Sequence, residues 1–102
     1  MEFQNVTVVK KANIYFGGNV TSRSVLFADG TKKTLGIMMP GEYEFGTSTK
    51  EVMKIISGNL KVKLPNAENF VIFSAGDIFE VASHVKFSVI AEEEVAYICK
   101  YE

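Results

Sequence analysis

Apolar residues along this chain are grouped in short alternating or continuous runs rather than in the longer stripes of amphipathic helices. The runs are rich in Val, Ile, Phe and Tyr, and turn-forming residues separate them at close intervals. Such spacing is typical of an all-β sandwich or barrel. It predicts strands at about residues 6–9, 13–16, 20–27, 33–39, 42–46, 51–56, 59–64, 70–74, 78–81, 86–90 and 95–101.

The breaks between these runs carry residues that favour turns. Asp29-Gly30 is the strongest hairpin signal, because both residues tolerate the positive φ angles that tight turns between antiparallel strands require. No stretch of helical length has an apolar period of 3.6 residues, and no linker or low-complexity segment interrupts the chain. The pattern therefore predicts a single compact β-domain over residues 1–102, in which any helix is short.

Composition narrows the range of partners. The 11 basic and 12 acidic residues give a formal net charge of -1, and they are spread along the chain. A protein that grips nucleic acid or an anionic membrane through charge needs a basic patch, which this sequence lacks. With 47% hydrophobic and 23% charged residues, the chain has an ordinary globular composition. We therefore expect neither nucleic acid nor a membrane as its partner.

The N-terminal sequence indicates a cytoplasmic protein. The opening MEFQNVTVV lacks the basic start and long apolar segment of a signal peptide, and no apolar run approaches the length of a membrane span. Cys99 has no second cysteine in the chain with which to form a disulfide. Because it alternates with tyrosines in a strand-like run, we interpret it as a buried, inert thiol.

The stretch GEYEFGTSTKEVMKIISG places Glu42, Glu44 and Glu51 among apolar residues. On a strand, Glu42 and Glu44 point to one face and Tyr43 to the other, whereas Glu51 shares a face with apolar residues further along its own strand. Carboxylates that line a barrel would serve a ligand. On the outer face they would be ordinary solvated charges, and the pattern alone leaves both interpretations open.

The spacing around this stretch resembles the two sequence motifs of the cupin superfamily, a small jelly-roll-like barrel of two antiparallel sheets. The matching positions are Gly36, Glu42, Glu44, Glu51 and Gly58 for the first motif, and Gly76, His84 and Phe87 for the second. In cupins the first motif supplies two histidines and a glutamate as metal ligands, and the second supplies another histidine. Here glutamates and a phenylalanine stand at the histidine positions.

These substitutions argue against a metal. Transition metals in such sites favour imidazole, and the chain's one histidine, His84, falls where the second motif normally turns. We therefore predict no metal and no cofactor. A carboxylate site for Mg²⁺ or Ca²⁺ remains an alternative, which we rank below a metal-free pocket because no recognisable cation loop is present.

Longer segments carry a closer resemblance. VTSRSVLFADGTKKTLG followed by MPGEYEFGT, together with AGDIFEV and AYICKY, is similar to the small bacterial cupins of the pyrimidine/purine nucleoside phosphorylase family, over about residues 12–101. The resemblance implies phosphorolysis, in which a purine or pyrimidine nucleoside and orthophosphate give the free base and ribose 1-phosphate. Ala82 and Val85 depart from the proline and serine that many relatives carry in this turn.

Under that resemblance, the chemistry assigns expected roles. The chain's only arginine, Arg23, is the first candidate for phosphate, because a guanidinium binds phosphate oxygens through paired hydrogen bonds, and Lys33 is the second. Glu51, Glu44 and Glu42 are the candidate catalytic carboxylates. Glu51 ranks first, because its apolar neighbours would raise its pKa most.

The base needs a surface and a proton. Tyr43, Phe45 and Phe87 are candidates for stacking, which suits broad specificity because every base has an aromatic face. His84 is a candidate general acid, although a lone histidine in a turn is usually only solvated. For each of these residues, a purely structural role is the alternative.

Two other functions and one assembly complete the expectations. A non-catalytic cupin module that binds a nucleoside or sugar would need the same pocket. A metal-dependent cupin dioxygenase or isomerase conflicts with the missing histidines. A homodimer is expected, because small β-sandwich domains commonly pair through sheet edges or apolar sheet faces.

Overall fold

The computed structural model describes residues 2–102, which form strands and one short 3-10 turn at Phe16–Gly18. Each predicted strand is present, with ends that differ by at most one residue. The strands are β1 (Thr7–Val8), β2 (Asn13–Tyr15), β3 (Val20–Leu26), β4 (Lys32–Met38), β5 (Gly41–Gly46), β6 (Glu51–Ser57), β7 (Leu60–Lys63), β8 (Val71–Phe73), β9 (Ile78–Val81), β10 (Lys86–Ala91) and β11 (Val95–Tyr101). Within this range, no helix has the length and apolar character needed to cross a membrane.

The strands form two antiparallel sheets. The larger sheet has the order β3-β4-β11-β6-β9, and both β1 and β2 pair with β3 at its edge. The smaller sheet has the order β5-β10-β7-β8. The expected cupin-type fold of two antiparallel sheets is confirmed, as a sandwich whose sheets stay separate rather than closing into one continuous barrel.

The β3–β4 connection is the hairpin that Asp29-Gly30 predicts. Gly30 has φ +89°, its N–H donates to the Phe27 carbonyl at 3.0 Å, and the Thr31 N–H donates to Asp29 Oδ1 at 2.8 Å. A side chain at residue 30 would be strained at this φ. The turn fixes the register of the two strands, in which Arg23 lies opposite Leu35.

The core fills the space between the sheets. Alternation along each strand turns one set of residues inward, and the completely buried apolar side chains include Val20, Met38, Ile55, Leu60, Val62, Val81, Val89 and Val95. Burying each such side chain stabilises the fold by about 1.5–3 kcal/mol. This packing joins the two sheets through their inner faces.

The outer faces of the two sheets differ in character. Glu42, Glu44 and Lys61 lie on the outer face of the smaller sheet, which is mainly charged but also exposes Ile72. The outer face of the larger sheet carries exposed apolar side chains instead. We call this surface the outer apolar face, and it comprises the exposed Ile14, Leu35, Ile37, Ile56 and Ile78 together with the partly buried Ile98.

Candidate active site

A cavity of about 200 Å³ lies between the two sheets. This is roughly the space of seven molecules of liquid water, enough for a small ring system but not for a whole drug-sized ligand. Its apolar and aromatic lining consists of Tyr15, Met38, Phe45, Gly46, Met53 and Phe87. Its polar lining consists of Ser22, Glu51, Tyr97, Cys99 and Tyr101. A few polar groups among apolar walls are typical of a small-molecule site.

Glu51 is the one carboxylate among the described residues that line this cavity. It begins β6, is half-buried, and accepts a hydrogen bond from the Cys99 thiol at 3.4 Å. Burial raises the pKa of the Glu51 carboxyl group, and the hydrogen bond from Cys99 opposes that rise. A carboxyl group with a raised pKa, open to a cavity, is suited to proton transfer.

The neighbouring phenols and thiol stay protonated at neutral pH. Burial raises the pKa of Cys99 to about 12 and raises the pKa values of Tyr97 and Tyr101 above the ordinary range. The Tyr101 hydroxyl also lies 3.3 Å from Thr34 Oγ1. Cys99 is therefore a buried, unreactive thiol, as the sequence predicts, and the phenols can act as neutral hydrogen-bond donors.

Gly36 explains how the Tyr97 ring fits beside the cavity. Gly36 and Tyr97 are cross-strand partners in the β4–β11 pair. A Cβ atom at residue 36 would overlap the end of the Tyr97 ring. Glycine at this cupin motif position thus leaves space for the Tyr97 ring of the opposing strand, and the ring becomes part of the cavity lining.

Ser22 belongs to a small polar cluster at the edge of the larger sheet. Asn13 Nδ2 donates hydrogen bonds to Ser22 Oγ and Ser24 Oγ, each at 3.2 Å. Both serines are buried. The cluster fixes β2 against β3, which holds Tyr15, two residues after Asn13, at the cavity.

Glu42 and Glu44 do not reach the cavity. They alternate along β5 with Tyr43 and Phe45, whose rings turn inward, so both carboxylates are exposed on the opposite face. Glu44 lies 4.0 Å from the ammonium group of Lys86 on that outer face. Of the three candidate carboxylates, only Glu51 therefore lines the cavity.

Arg23 and Lys33 also point away from the cavity. Arg23 lies between the buried Ser22 and Ser24, so it is exposed on the outside of the larger sheet. The Lys33 ammonium lies 5.3 Å from the ring centroids of Phe3 and Phe27, on that same outside surface. The structure brings neither cation to the residues expected to act on the sugar.

The aromatic candidates separate into two groups. Phe87 and Phe45 line the cavity, with ring centroids 5.7 Å apart. Tyr43 lies in the core instead, and its hydroxyl donates to the Met39 carbonyl at 2.7 Å. Phe45 and Phe87 therefore remain candidates for stacking with a base, whereas Tyr43 has a structural role.

The turn that carries His84 is exposed at the end of the sandwich. His84 has φ +58° and its N–H donates to the Thr47 carbonyl. The buried Thr47 hydroxyl donates to the Ala82 carbonyl at 2.6 Å and accepts from the Val85 N–H at 3.1 Å. Backbone contacts thus hold this turn, and the structure does not place the His84 imidazole among the residues that line the cavity.

The lining does not fit the metal that cupins commonly hold. It offers one carboxylate, a thiol that burial keeps protonated, and neutral phenols. Transition metals favour imidazole and thiolate, and hard cations need several oxygen ligands. No group of three or more His, Cys, Asp or Glu side chains suited to a metal occurs in residues 2–102.

A second depression, on the outer face of the smaller sheet, is less suited to chemistry. Its charged groups are already paired with one another or with backbone: Lys61 forms an ion pair with Glu92, and Glu93 accepts a hydrogen bond from the Asn59 N–H at 3.0 Å. It contains no buried titratable group.

Two facing antiparallel sheets around a small cavity with mainly apolar walls form a cupin-type fold. An RmlC-like cupin from Shewanella frigidimarina NCIMB 400 has the same fold, with a TM-score of 0.71 at 16% identity over 98% of this chain and 86% of that one. The chain belongs to the pyrimidine/purine nucleoside phosphorylase family, whose model matches residues 10–101. The family resemblance seen in the sequence is confirmed.

Individual relatives agree with this assignment. A protein from Syntrophotalea carbinolica named pyrimidine/purine nucleoside phosphorylase is 55% identical over 100 residues, which cover 98% of this chain and 96% of the relative. The crystal structure of a protein of unknown function from Acinetobacter sp. ADP1 has a TM-score of 0.96 and 42% identity, covering 99% of this chain and 98% of that one.

Proposed function

We propose that this protein is a nucleoside phosphorylase of broad specificity, a glycosyltransferase that moves the pentosyl group of purine and pyrimidine nucleosides to orthophosphate. The observation that carries the proposal is the half-buried Glu51 carboxyl group, with its raised pKa, at a cavity with aromatic walls. Relatives with about half of their residues identical bear the corresponding name. Such an enzyme serves nucleotide salvage, and the cytoplasm remains our prediction for its location.

The reaction needs one proton for the departing base. In the proposed step, the C1′–N bond breaks and its electron pair goes to the base nitrogen, which takes the proton of the Glu51 carboxyl group. An oxygen of dihydrogen phosphate donates an electron pair to C1′ and forms the new C–O bond. The phosphate then returns a proton to Glu51, so that nucleoside and phosphate give free base and ribose 1-phosphate.

The cavity walls support acceptance of both classes of base. Phe45 and Phe87 offer aromatic faces, and stacking is indifferent to the pattern of donors and acceptors on a base edge. Tyr97 and Tyr101 offer neutral hydroxyl groups for hydrogen bonds to the base or the ribose.

Purified protein that has been dialysed against a chelator is expected to release uracil from uridine and adenine from adenosine, in each case only when phosphate is present. Metal-independent activity is expected because the donor set of the cavity does not suit a metal. Chromatography of free base and ribose 1-phosphate measures the reaction. Activity that is lost on chelation and restored by a metal would contradict metal independence.

Absence of release from any nucleoside would contradict the enzyme itself. Nucleoside binding without cleavage, measured by calorimetry on the same sample, would then support the alternative of a non-catalytic binding module.

We also propose a homodimer that pairs through the outer apolar face. Exposed apolar patches of this kind are typical of protein interfaces, whereas the outer face of the smaller sheet is charged. The change Ile37→Glu is expected to produce monomers in analytical ultracentrifugation, because it would bury a charge between the subunits. Ile72→Glu is the matched control on the smaller sheet, where Ile72 is 60% exposed. A monomeric wild type, or a dimer unaffected by Ile37→Glu, would contradict this arrangement.

A further inference from the structure

Charged residues are rare on the inner surfaces of this sandwich. Alternation along the described strands leaves two inward-facing strand positions that carry a charge, Lys32 on β4 and Glu51 on β6. The other strand lysines, such as Lys54, Lys61 and Lys86, occupy outward positions. A sandwich interior admits a charge only where solvent or a ligand compensates it, so these two positions mark the place where the interior opens.

Lys32 and Glu51 lie in one row across three neighbouring strands. Glu51 is the register partner of Tyr101, and Lys32 occupies the next position in the β4–β11 ladder after the pair formed by Lys33 and Lys100. The Lys32 ammonium lies 5.2 Å from the centroid of the Tyr101 ring, which lines the cavity. Because neighbouring strands are about 4.8 Å apart, the backbones of Lys32 and Glu51 are separated by about 10 Å.

Neither Lys32 nor Glu51 forms an ion pair with another described residue, whereas Lys50, Lys61, Lys86 and Lys100 each pair with a glutamate. Lys32 is also exposed, so an anion can approach it from solvent. Lys32 is not itself one of the residues that line the cavity, but its ammonium group lies beside the lining residue Tyr101 and is available for an anionic ligand there.

We infer that Lys32, rather than Arg23 or Lys33, binds the phosphate co-substrate at the mouth of the cavity, an inference that rests on the proposed function. A lysine ammonium is a common phosphate ligand and acts as a compact point charge. The row then has a cation at one side and a proton-donating carboxyl group at the other, and the reacting sugar lies over the Tyr101 side chain between them.

This placement also orients the nucleoside. Phosphate enters from solvent on the Lys32 side, so the ribose lies at the mouth and the base lies inward against Phe45 and Phe87. Glu51, at the same row, faces the bond between ribose and base. The small cavity then needs to enclose only the base, which agrees with its volume of about 200 Å³.

The test compares Lys32→Gln with Lys54→Gln, a control that removes the same charge from an exposed outward position of β6. Steady-state kinetics with saturating uridine should show the KM for phosphate raised about 10- to 100-fold in Lys32→Gln, since a hydrogen bond to a charged group is worth roughly 1.5–3 kcal/mol. The KM for uridine should stay within about twofold, and Lys32→Arg should retain most of the phosphate affinity.

A binding measurement provides a second readout. Phosphate alone should raise the thermal unfolding midpoint of the wild type and of Lys54→Gln, but not that of Lys32→Gln, because a ligand that binds only the folded state stabilises it. The unfolding midpoint without phosphate shows whether each variant is folded.

The outcomes separate this inference from the proposed function. A wild type that is active, together with an unchanged phosphate KM in Lys32→Gln, would overturn the role of Lys32 and leave the enzyme intact. A raised phosphate KM in Arg23→Gln or Lys33→Gln, with Lys32→Gln unaffected, would do the same and identify the true ligand. An inactive wild type would overturn the proposed function itself.

Discussion

Replacing Glu51 with glutamine is expected to lower kcat for nucleoside phosphorolysis by about 10²- to 10⁴-fold, the range that a positioned general acid contributes. Glutamine keeps the shape of the side chain and can still accept the hydrogen bond from Cys99, but it has no proton to transfer. Release of base from uridine at saturating phosphate measures the effect. The matched control is Glu80→Gln, which alters an exposed carboxylate on the neighbouring strand β9.

The pH dependence of the same variant identifies the acid. Because burial raises the pKa of Glu51, the protonated form persists to higher pH, and kcat should fall as pH rises through that pKa. This fall should be absent in Glu51→Gln, which separates it from the titration of phosphate itself. A variant that keeps both wild-type kcat and the wild-type pH profile would show that another group supplies the proton.

Replacing Glu51 with glutamine should lower activity without lowering the free energy of unfolding. A carboxyl group whose folded pKa lies above its unfolded value binds more protons in the folded state, so the free energy of unfolding falls as pH rises between the two values. Above its folded-state pKa, Glu51 bears the full cost of burying the charge, which Glu51→Gln removes. Denaturant unfolding at pH 7 should show a variant that is no less stable than the wild type, so that lost activity cannot be assigned to unfolding.

Gly36→Ala is expected to lower the free energy of unfolding by about 1–3 kcal/mol, as other small-to-large changes in packed interiors do. The new Cβ would overlap the Tyr97 ring, and β4 and β11 are neighbouring strands inside the larger sheet. Displacement of that ring would also change the cavity wall, so activity should fall as well. Urea unfolding and uridine phosphorolysis measure the two effects.

A double-mutant cycle tests the cause. In a Tyr97→Ala background the alanine at residue 36 has no ring to displace, so its cost should shrink by most of the single-mutant value. For stability, Gly46→Ala is the matched control, because a Cβ there would meet only the Val85 carbonyl oxygen, at 4.0 Å; Gly46 lines the cavity, so this variant is not a control for activity. An equal cost of Gly36→Ala in both backgrounds would assign the destabilisation to the backbone rather than to the tyrosine.

Glu51 shows how much of the candidate site can be predicted from the local sequence pattern. The alternation with Met53 and Ile55 indicates that Glu51 shares the apolar face of its strand, and the structure places all three on the inner face. The same reasoning applied to β5 separates Glu42 and Glu44 from the apolar Tyr43 and Phe45. That signal is present in the sequence, and the cupin spacing, which matches the two glutamates to ligand positions, obscures it.

The sequence by itself determined the strands, the hairpin at Asp29-Gly30 and the family, because strand alternation, turn chemistry and family-specific segments are local properties of the chain. Only the tertiary structure decided which side of each strand faces the cavity and which distant residues share it. Lys32 and Lys33 are adjacent and chemically identical, yet only the β4–β11 register sets Lys32 beside Tyr101 and in the row of Glu51. Such placement depends on pairing between strands far apart in the chain, and it cannot be predicted from the residue type at position 32 or 33.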